Sequence, residues 1–477
     1  MKMLETRSAL IAFALAAGSC VPSMSLADPL NPLDFTSLGD TSVAPGVYTI
    51  DTDTATITGP STNIPGQILA NRTVVFCFGN ILVSSDVTFN IVGNRPVAIL
   101  STGNFTMAAD VNASGANASG TSPGAGRGTS GNGAQNGPKG NPGYGIVGGL
   151  AALNCGGSGG SFGALGGRGG GIASSPLNSY GNLLRLVEGG SGGAGGSDAS
   201  GTSGGAGGGG AAGLELGALG TLDVSGAVIN LKGGNGAAGT NAAGVTAFGG
   251  HGGGGGAGGG ILLHGATVVL GGPIDCSGGT GGSGGNGSGA AGGNGGGGGS
   301  GGRVSIQSVS PPVVTNITVS GGTSGAGGTG TSSGTAGLNG GSGNIVNVAG
   351  VLTPTTLDFG TVDVGTSKVL AMEVANTGGT NSSINGRFPS GAGPFARIGT
   401  GVFSALRRDR TTSNDYSFTP AASGPFQQTL TFVSDGGNAT VIIKGYGYCE
   451  ADLNHDLFVD DADFALFAAD YDALLCP

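Results

Sequence analysis

Glycine fills the middle of this chain, and any fold must accommodate it. Of 477 residues 110 are Gly, most of them between residues 111 and 347. They occur in runs such as Gly278-Gly279-Thr280-Gly281-Gly282-Ser283-Gly284-Gly285-Asn286. Ordering one Gly in regular structure costs roughly 0.5–1 kcal/mol relative to Ala. Over a hundred such residues the cost reaches roughly several tens of kcal/mol. Large side chains to offset it are scarce: aromatics are 5% of the chain, Trp is absent, and the 38% apolar share leans on Ala. Either the middle is held by repetitive backbone hydrogen bonding, or much of it is mobile.

The runs carry a local period of three, Gly-Gly-X. That period matches a polyproline-II-type helix; the competing reading is a flexible Gly/Ser/Asn linker. Between the runs a degenerate V-x-x-S-G repeat recurs. Its copies are Val111-Asn112-Ala113-Ser114-Gly115, Leu222-Asp223-Val224-Ser225-Gly226, Ile274-Asp275-Cys276-Ser277-Gly278 and Ile317-Thr318-Val319-Ser320-Gly321. Alternating apolar strands accompany the copies, for example residues 260–270 and Arg303-Val304-Ser305-Ile306. These are read as turns of a right-handed parallel β-helix, with the Gly runs leaving one corner or forming a separate bundle. Asp110, Asp223 and Asp275 occupy equivalent or nearly equivalent repeat positions and are read as solvated strand ends, a stack along one solenoid face being the alternative. The pattern resembles bacterial surface and secreted β-helix proteins with glycine-rich inserts.

The opening of the chain reads as an export signal. Lys2 and Arg7 precede a short apolar stretch (residues 8–18), and Ser25-Leu26-Ala27 offers the small residues that signal peptidase needs. A lipoprotein-type alternative is processing at Cys20. No other apolar run is long enough to span a bilayer. Residues 28–110 contain short β-branched and aromatic segments, 47–50, 54–58, 73–78, 87–91 and 97–100, parted by turn formers. After cleavage five Cys remain. Cys449 and Cys476 bracket the C-terminal tail and are expected to form a disulfide, contributing roughly 3–4 kcal/mol by chain entropy. Cys77 and Cys276 sit in strand-like segments as buried thiols, and Cys155 lies in a Gly run.

A net charge of −10 argues against nucleic acid, which needs basic patches. The three His are scattered as His251, His264 and His455. Gly156-Gly157-Ser158-Gly159-Gly160 spells G-x-S-x-G, a motif that a Gly/Ser tract generates by chance. No zinc set or P-loop lysine is present, so the chain is expected not to be an enzyme. The alternative is a β-helix polysaccharide lyase or hydrolase using the stacked Asp residues.

Composition changes near Val351. Alternation at Leu370/Met372/Val374 and Leu430/Phe432 indicates half-buried antiparallel strands. The opening Leu357-Asp358-Phe359-Gly360, the central Asn376-Thr377-Gly378 and the closing Gly445-Tyr446-Gly447 resemble the ASPM/SPD-2/Hydin-type (choice-of-anchor D) immunoglobulin-like module. That resemblance implies a non-catalytic spacer or interaction sandwich. Leu406-Arg407-Arg408-Asp409-Arg410 departs from the Pro-Gly turn usual there.

The tail has the oxygen spacing of a calcium loop. Asp452, Asn454 and Asp456 stand at positions 1, 3 and 5, the Phe458 carbonyl at 7, Asp460 at 9 and Asp463 at 12. Phe464, Phe467, Tyr471 and Leu474 then recur at helical spacing. The segment resembles the dockerin calcium loop and the terminal dockerin-like modules of planctomycete exported proteins. Two departures are Leu457 where the loop takes Gly, and one loop in place of two. They favour terminal anchoring or sorting over cohesin recognition.

The expected fold class is all-β: a glycine-rich parallel β-solenoid, an immunoglobulin-like β-sandwich and a small EF-hand/dockerin-like tail. The expected boundaries are 1–27 signal, 28–110 and 111–350 solenoid, 351–448 sandwich and 449–477 tail. The expected role is a secreted or cell-surface structural or adhesive protein binding Ca2+. Its expected partners are surface-anchoring or sorting machinery and extracellular polysaccharide or other surface proteins.

Overall fold

The computed structural model describes residues 29–60, 62–126, 137, 140–171, 178–181, 187–454, 456 and 458–474, the last three by backbone alone. The expected export signal, Cys20, His455, Leu457 and Cys476 lie outside the described residues. The protein is nearly all β, with one α-helix, Asp461–Leu474, and one short 3-10 turn, Pro32–Asp34, among the described residues.

Up to residue 349 the chain passes repeatedly through three sheets. One sheet stacks Thr41–Val43, Ile81–Val83, Phe105–Met107, Thr221–Asp223 and Thr267–Val269 in parallel. A second carries Gly46–Asp51, Val87–Val92, Asp110–Asn112, Val228–Asn230, Ile274–Asp275 and Ile317–Thr318. The third carries Val74–Phe78, Val97–Ser101, Gly213–Ala218, Gly260–His264, Arg303–Ser308 and Asn344–Ala349. Alternation turns one side of each strand inward, so Ile50, Phe76, Phe105, Leu214, Leu216, Ile261, Leu263 and Ile306 share one core. An antiparallel extension, Thr56–Gly59 and Thr62–Pro65, closes the first turn. The early strands fall where expected. Residues 260–270 form two strands in different sheets, because Gly265-Ala266 turns the chain between them.

Where the structure describes them, the Gly runs are ordered. Each leaves after a strand of the second sheet and returns to one of the third. Residues 276–287 donate at every third position to the next run in parallel: Gly278 N–H to Ser320 O (2.9 Å), Gly281 to Thr323 O (2.8 Å) and Gly284 to Ala326 O (2.8 Å). Between these, Gly279, Gly282 and Gly285 donate to Gly256, Gly253 and Gly250 of an antiparallel return run, each at 2.8 Å. A three-residue rhythm of lateral bonds is the geometry of polyproline-II segments packed side by side. A Cβ on Gly256 would overlap Gly209 O, and one on Gly279 would overlap Gly234 O, so these positions admit only Gly. In this run the third residue of each triplet, Thr280, Ser283 or Asn286, faces solvent, whereas Ser191, Ala194 and Ala257 in the inner runs are fully buried. A buried backbone hydrogen bond contributes about 0.5–1.5 kcal/mol net, which offsets the entropy cost of the Gly that donates it.

From Leu352 on, three small sheets surround an aromatic core of Phe359, Phe388, Phe395, Tyr416, Phe418 and Phe432. The motif glycines have packing roles there. Gly360 takes φ +62° where the Leu357–Asp363 strand shifts register, and a Cβ on Gly445 would overlap the Phe418 ring. Asn376 donates to Leu406 O (2.9 Å), which fixes the unusual Leu406–Arg410 corner; Asp409 turns it with φ +57°.

Candidate functional site

The tail is the first candidate. Asp452 and Asp463 are both 3% exposed, in a segment whose other side chains are mostly in solvent. Their carboxylates turn into the loop. Asp463 accepts from Asn454 N–H (3.1 Å) with one oxygen and from Asp460 N–H (2.9 Å) with the other. These backbone bonds hold the Asp463 carboxyl below the usual range. Asp452 accepts from Asp456 N–H (3.1 Å), and the Asn454 and Asp456 side chains bond at 3.0 Å. Five of the six positions precede the helix, and Asp463 lies in its first turn. Among the described residues no three His, Cys, Asp or Glu side chains converge on one point. The donor set is wholly hard oxygen, which suits Ca2+. Phe464, Phe467 and Tyr471 lie on the helix beyond it, each more than half exposed. Cys449 is a half-buried free thiol, its expected partner Cys476 being outside the described residues.

Asp110, Asp223 and Asp275 do not stack. Asp223 lies in the first sheet, opposite Thr106 and Val269. Asp275 lies in the second, in a ladder with Asn112, Asn230 and Thr318. Asp110 belongs to that sheet too but pairs with Val228, two residues out of step. The repeat copy in phase with the others is Ile229-Asn230-Leu231-Lys232-Gly233, where Lys replaces Ser. Residues 222–226 mimic the motif at another corner of the turn. Lys232 pairs with Asp275 at 2.9 Å. Burial raises the Asp275 carboxyl, but the bonds from Ser277 and Lys232 outweigh it and hold it low.

Ser158 of the G-x-S-x-G stretch is fully buried in the Gly bundle, where its hydroxyl accepts from Gly169 N–H (3.2 Å). His251 Nδ1 accepts from Asn294 N–H (2.8 Å), and burial lowers its pKa. Cys77 and Cys276 are buried thiols, and burial pushes Cys77 up to about 11.

The strongest electrostatic feature was only half visible in the sequence. On the outer side of the third sheet His264 has no solvent contact and lies between two buried carboxylates. Nδ1 is 3.2 Å from Asp435 Oδ2 of the C-terminal body, and Nε2 is 3.2 Å from Glu215 Oε1 of the adjacent strand. Gly217, the strand partner of His264, makes room: a Cβ there would overlap the imidazole. Asn385 donates to both Asp435 oxygens, from its backbone at 2.7 Å and its side chain at 2.9 Å. Leu30 N–H donates to Glu215 at 2.7 Å. Asn385 also reaches Pro29 O (3.0 Å), and Asn31 reaches Phe403 O (3.1 Å). The Gln307 side chain clasps the Ser383 peptide through both its N–H and its carbonyl. The third sheet, residues 29–35 and the residues after 352 thus meet at one polar seam. Burial alone pushes the imidazole down; its bond to Asp435 and the close Glu215 carboxylate, which meets Nε2 as an ion pair outside hydrogen-bond geometry, reverse this and carry it up to about 9. Glu215 was detectable as the one charge in the apolar strand Gly213–Ala218, pointing opposite to Leu214 and Leu216. Nothing local marked Asp435.

No protein-family model matches the chain, and no curated protein matches it. Among solved structures, an ASH/PapD-like domain of human CEP192 (PapD-like domain 7) is 12% identical, with 20% of this chain and 84% of that one covered, at TM-score 0.17. The Vibrio cholerae VesB protease is 15% identical, with 20% and 31% covered, at TM-score 0.15. Likenesses at these scores carry no argument about fold or activity. No described helix is long and apolar enough to cross a membrane.

Proposed function

We propose that this chain is a secreted or cell-surface structural or adhesive protein. In this reading residues 28–350 are a β-solenoid bearing a bundle of glycine segments, 351–448 an immunoglobulin-like sandwich of choice-of-anchor D type, and 449–477 a dockerin-like anchoring or sorting tail. The observation that carries it is the lateral bonding of successive Gly runs, with the short polar side chains of the outer run 276–287 turned to solvent. A body braced in this way suits presentation and support. The buried seam at His264 makes the sandwich a fixed part of that body rather than a swinging spacer.

The tail would hold Ca2+ through Asp452, Asn454, Asp456, the Phe458 carbonyl, Asp460 and Asp463. The ion would supply the positive charge that this segment lacks: it carries eight of the 27 acidic residues and none of the 17 basic ones. Partners in this reading are surface-anchoring or sorting machinery and extracellular polysaccharide or surface proteins. The test is cell fractionation of the full chain beside one ending at residue 448. The full chain is expected at the surface and the shortened one in the medium. Identical distribution removes the anchoring role, and retention of both in the cytoplasm removes the reading as a whole. Release of reducing sugar from a polysaccharide panel, lost on Asp275→Asn, would establish the carbohydrate-active enzyme instead.

A further inference from the structure

We propose that the N-terminal end of the lumen between the three sheets binds a compact apolar molecule of about benzene size. Further along, the lumen is closed: Leu222, Ile261, Leu263 and Ile306 have no solvent contact. In the first turns it widens into a cavity of about 160 Å³. Phe78, Phe89 and Ile99 on its wall keep 5%, 6% and 7% of their surface, so the cavity communicates with solvent.

The opening has a topological cause. Thr41–Val43 and Thr62–Pro65 are the terminal strands of two different sheets and do not pair with each other. The wall is unsealed between them, and Thr41 and Thr62 line this side. Two of the hydroxyls there are already engaged. The Tyr48 hydroxyl donates to Ala44 O (3.1 Å), and the Thr62 hydroxyl to Pro60 O (3.3 Å). None of the lining side chains is among the described buried polar groups that lack a partner.

A water needs two to four polar partners to be held in such a space, whereas an apolar cavity of about 150 Å³ takes up benzene. Shape and chemistry therefore select a small aromatic ring or branched hydrocarbon that asks for no hydrogen bond. The inference stands apart from the proposed surface role.

The test uses the mature chain with methyl-labelled Ile and Val, titrated with benzene. Saturable shifts are expected at Ile57, Ile81, Val83 and Ile99, with the melting temperature raised by roughly 2–4 °C. Val83→Phe, which fills the cavity, is expected to cut that rise at least threefold. Anthracene, too large to enter, is expected to do nothing. Absent methyl shifts, shifts scattered over the surface, or an undiminished response in a folded Val83→Phe chain would overturn the proposal. If Val83→Phe does not fold, the location of the shifts in the unaltered chain decides alone.

Discussion

The seam at His264 gives the sharpest quantitative prediction. Its imidazole is held at about 9 in the folded chain, against about 6.5 when unfolded. The folded value is the higher one, so the contribution is fully present below pH 6.5 and lost as pH rises through 9. Between those limits the unfolded state has released a proton that the folded state keeps. Stability should therefore fall by about 1.4 kcal/mol per pH unit, roughly 3 kcal/mol in all. The carboxyls held low, such as Asp275, act below this window, and the raised Cys77 thiol acts above it. The assay is hydrogen exchange at the amides of Leu30, Ser383 and Asn385, each bonded across the seam or to Asp435, after correction for the intrinsic pH dependence of exchange. Protection should decline from pH 6.5 to 9 in the unaltered chain. In His264→Gln the decline should vanish. Protection at pH 6.5 should also drop by about 3–5 kcal/mol, because Glu215 and Asp435 are left buried without a cation. The same slope in both chains would refute the assignment of the proton to His264.

Gly256→Val should unfold the glycine bundle or lower its stability by several kcal/mol, since the new side chain meets Gly209 O; Thr280→Val on the solvent face should stay within about 0.5 kcal/mol, both read by urea denaturation. Lys232→Ala removes an ion pair whose Lys side chain is 52% exposed, and should change stability by less than about 1 kcal/mol in the same assay. Calorimetry of the whole chain should show a calcium-binding heat that Asp463→Ala abolishes. That heat should weaken as pH falls through the lowered carboxyl range of Asp463, because protonation removes the ligand charge.

Local features were legible because they depend on short-range geometry. The early strands announced themselves through β-branched and aromatic residues. Gly265-Ala266 was less legible: residues 260–270 alternate smoothly, yet the chain changes sheets there. Repeat phase was misread at residues 222–226, since V-x-x-S-G fits any strand followed by a tight corner. Only the pairing of Asn230 with Asp275 shows that the in-phase copy begins at Ile229.

What the sequence determined by itself is the Gly-Gly-X rhythm, which leaves open both close backbone packing and a flexible linker. Two of every three positions lack a side chain, so another backbone can pack closely against that surface. What only the tertiary structure decided is which backbone it meets. Gly278 finds Ser320 and Gly279 finds Gly256 because the stacked strands fix the level at which each run leaves and returns. The same stacking brings Glu215 beside His264 and carries both to Asp435, 171 residues from His264. No local pattern encodes a contact of that span; it follows from which outer face of a sheet a second core happens to cover.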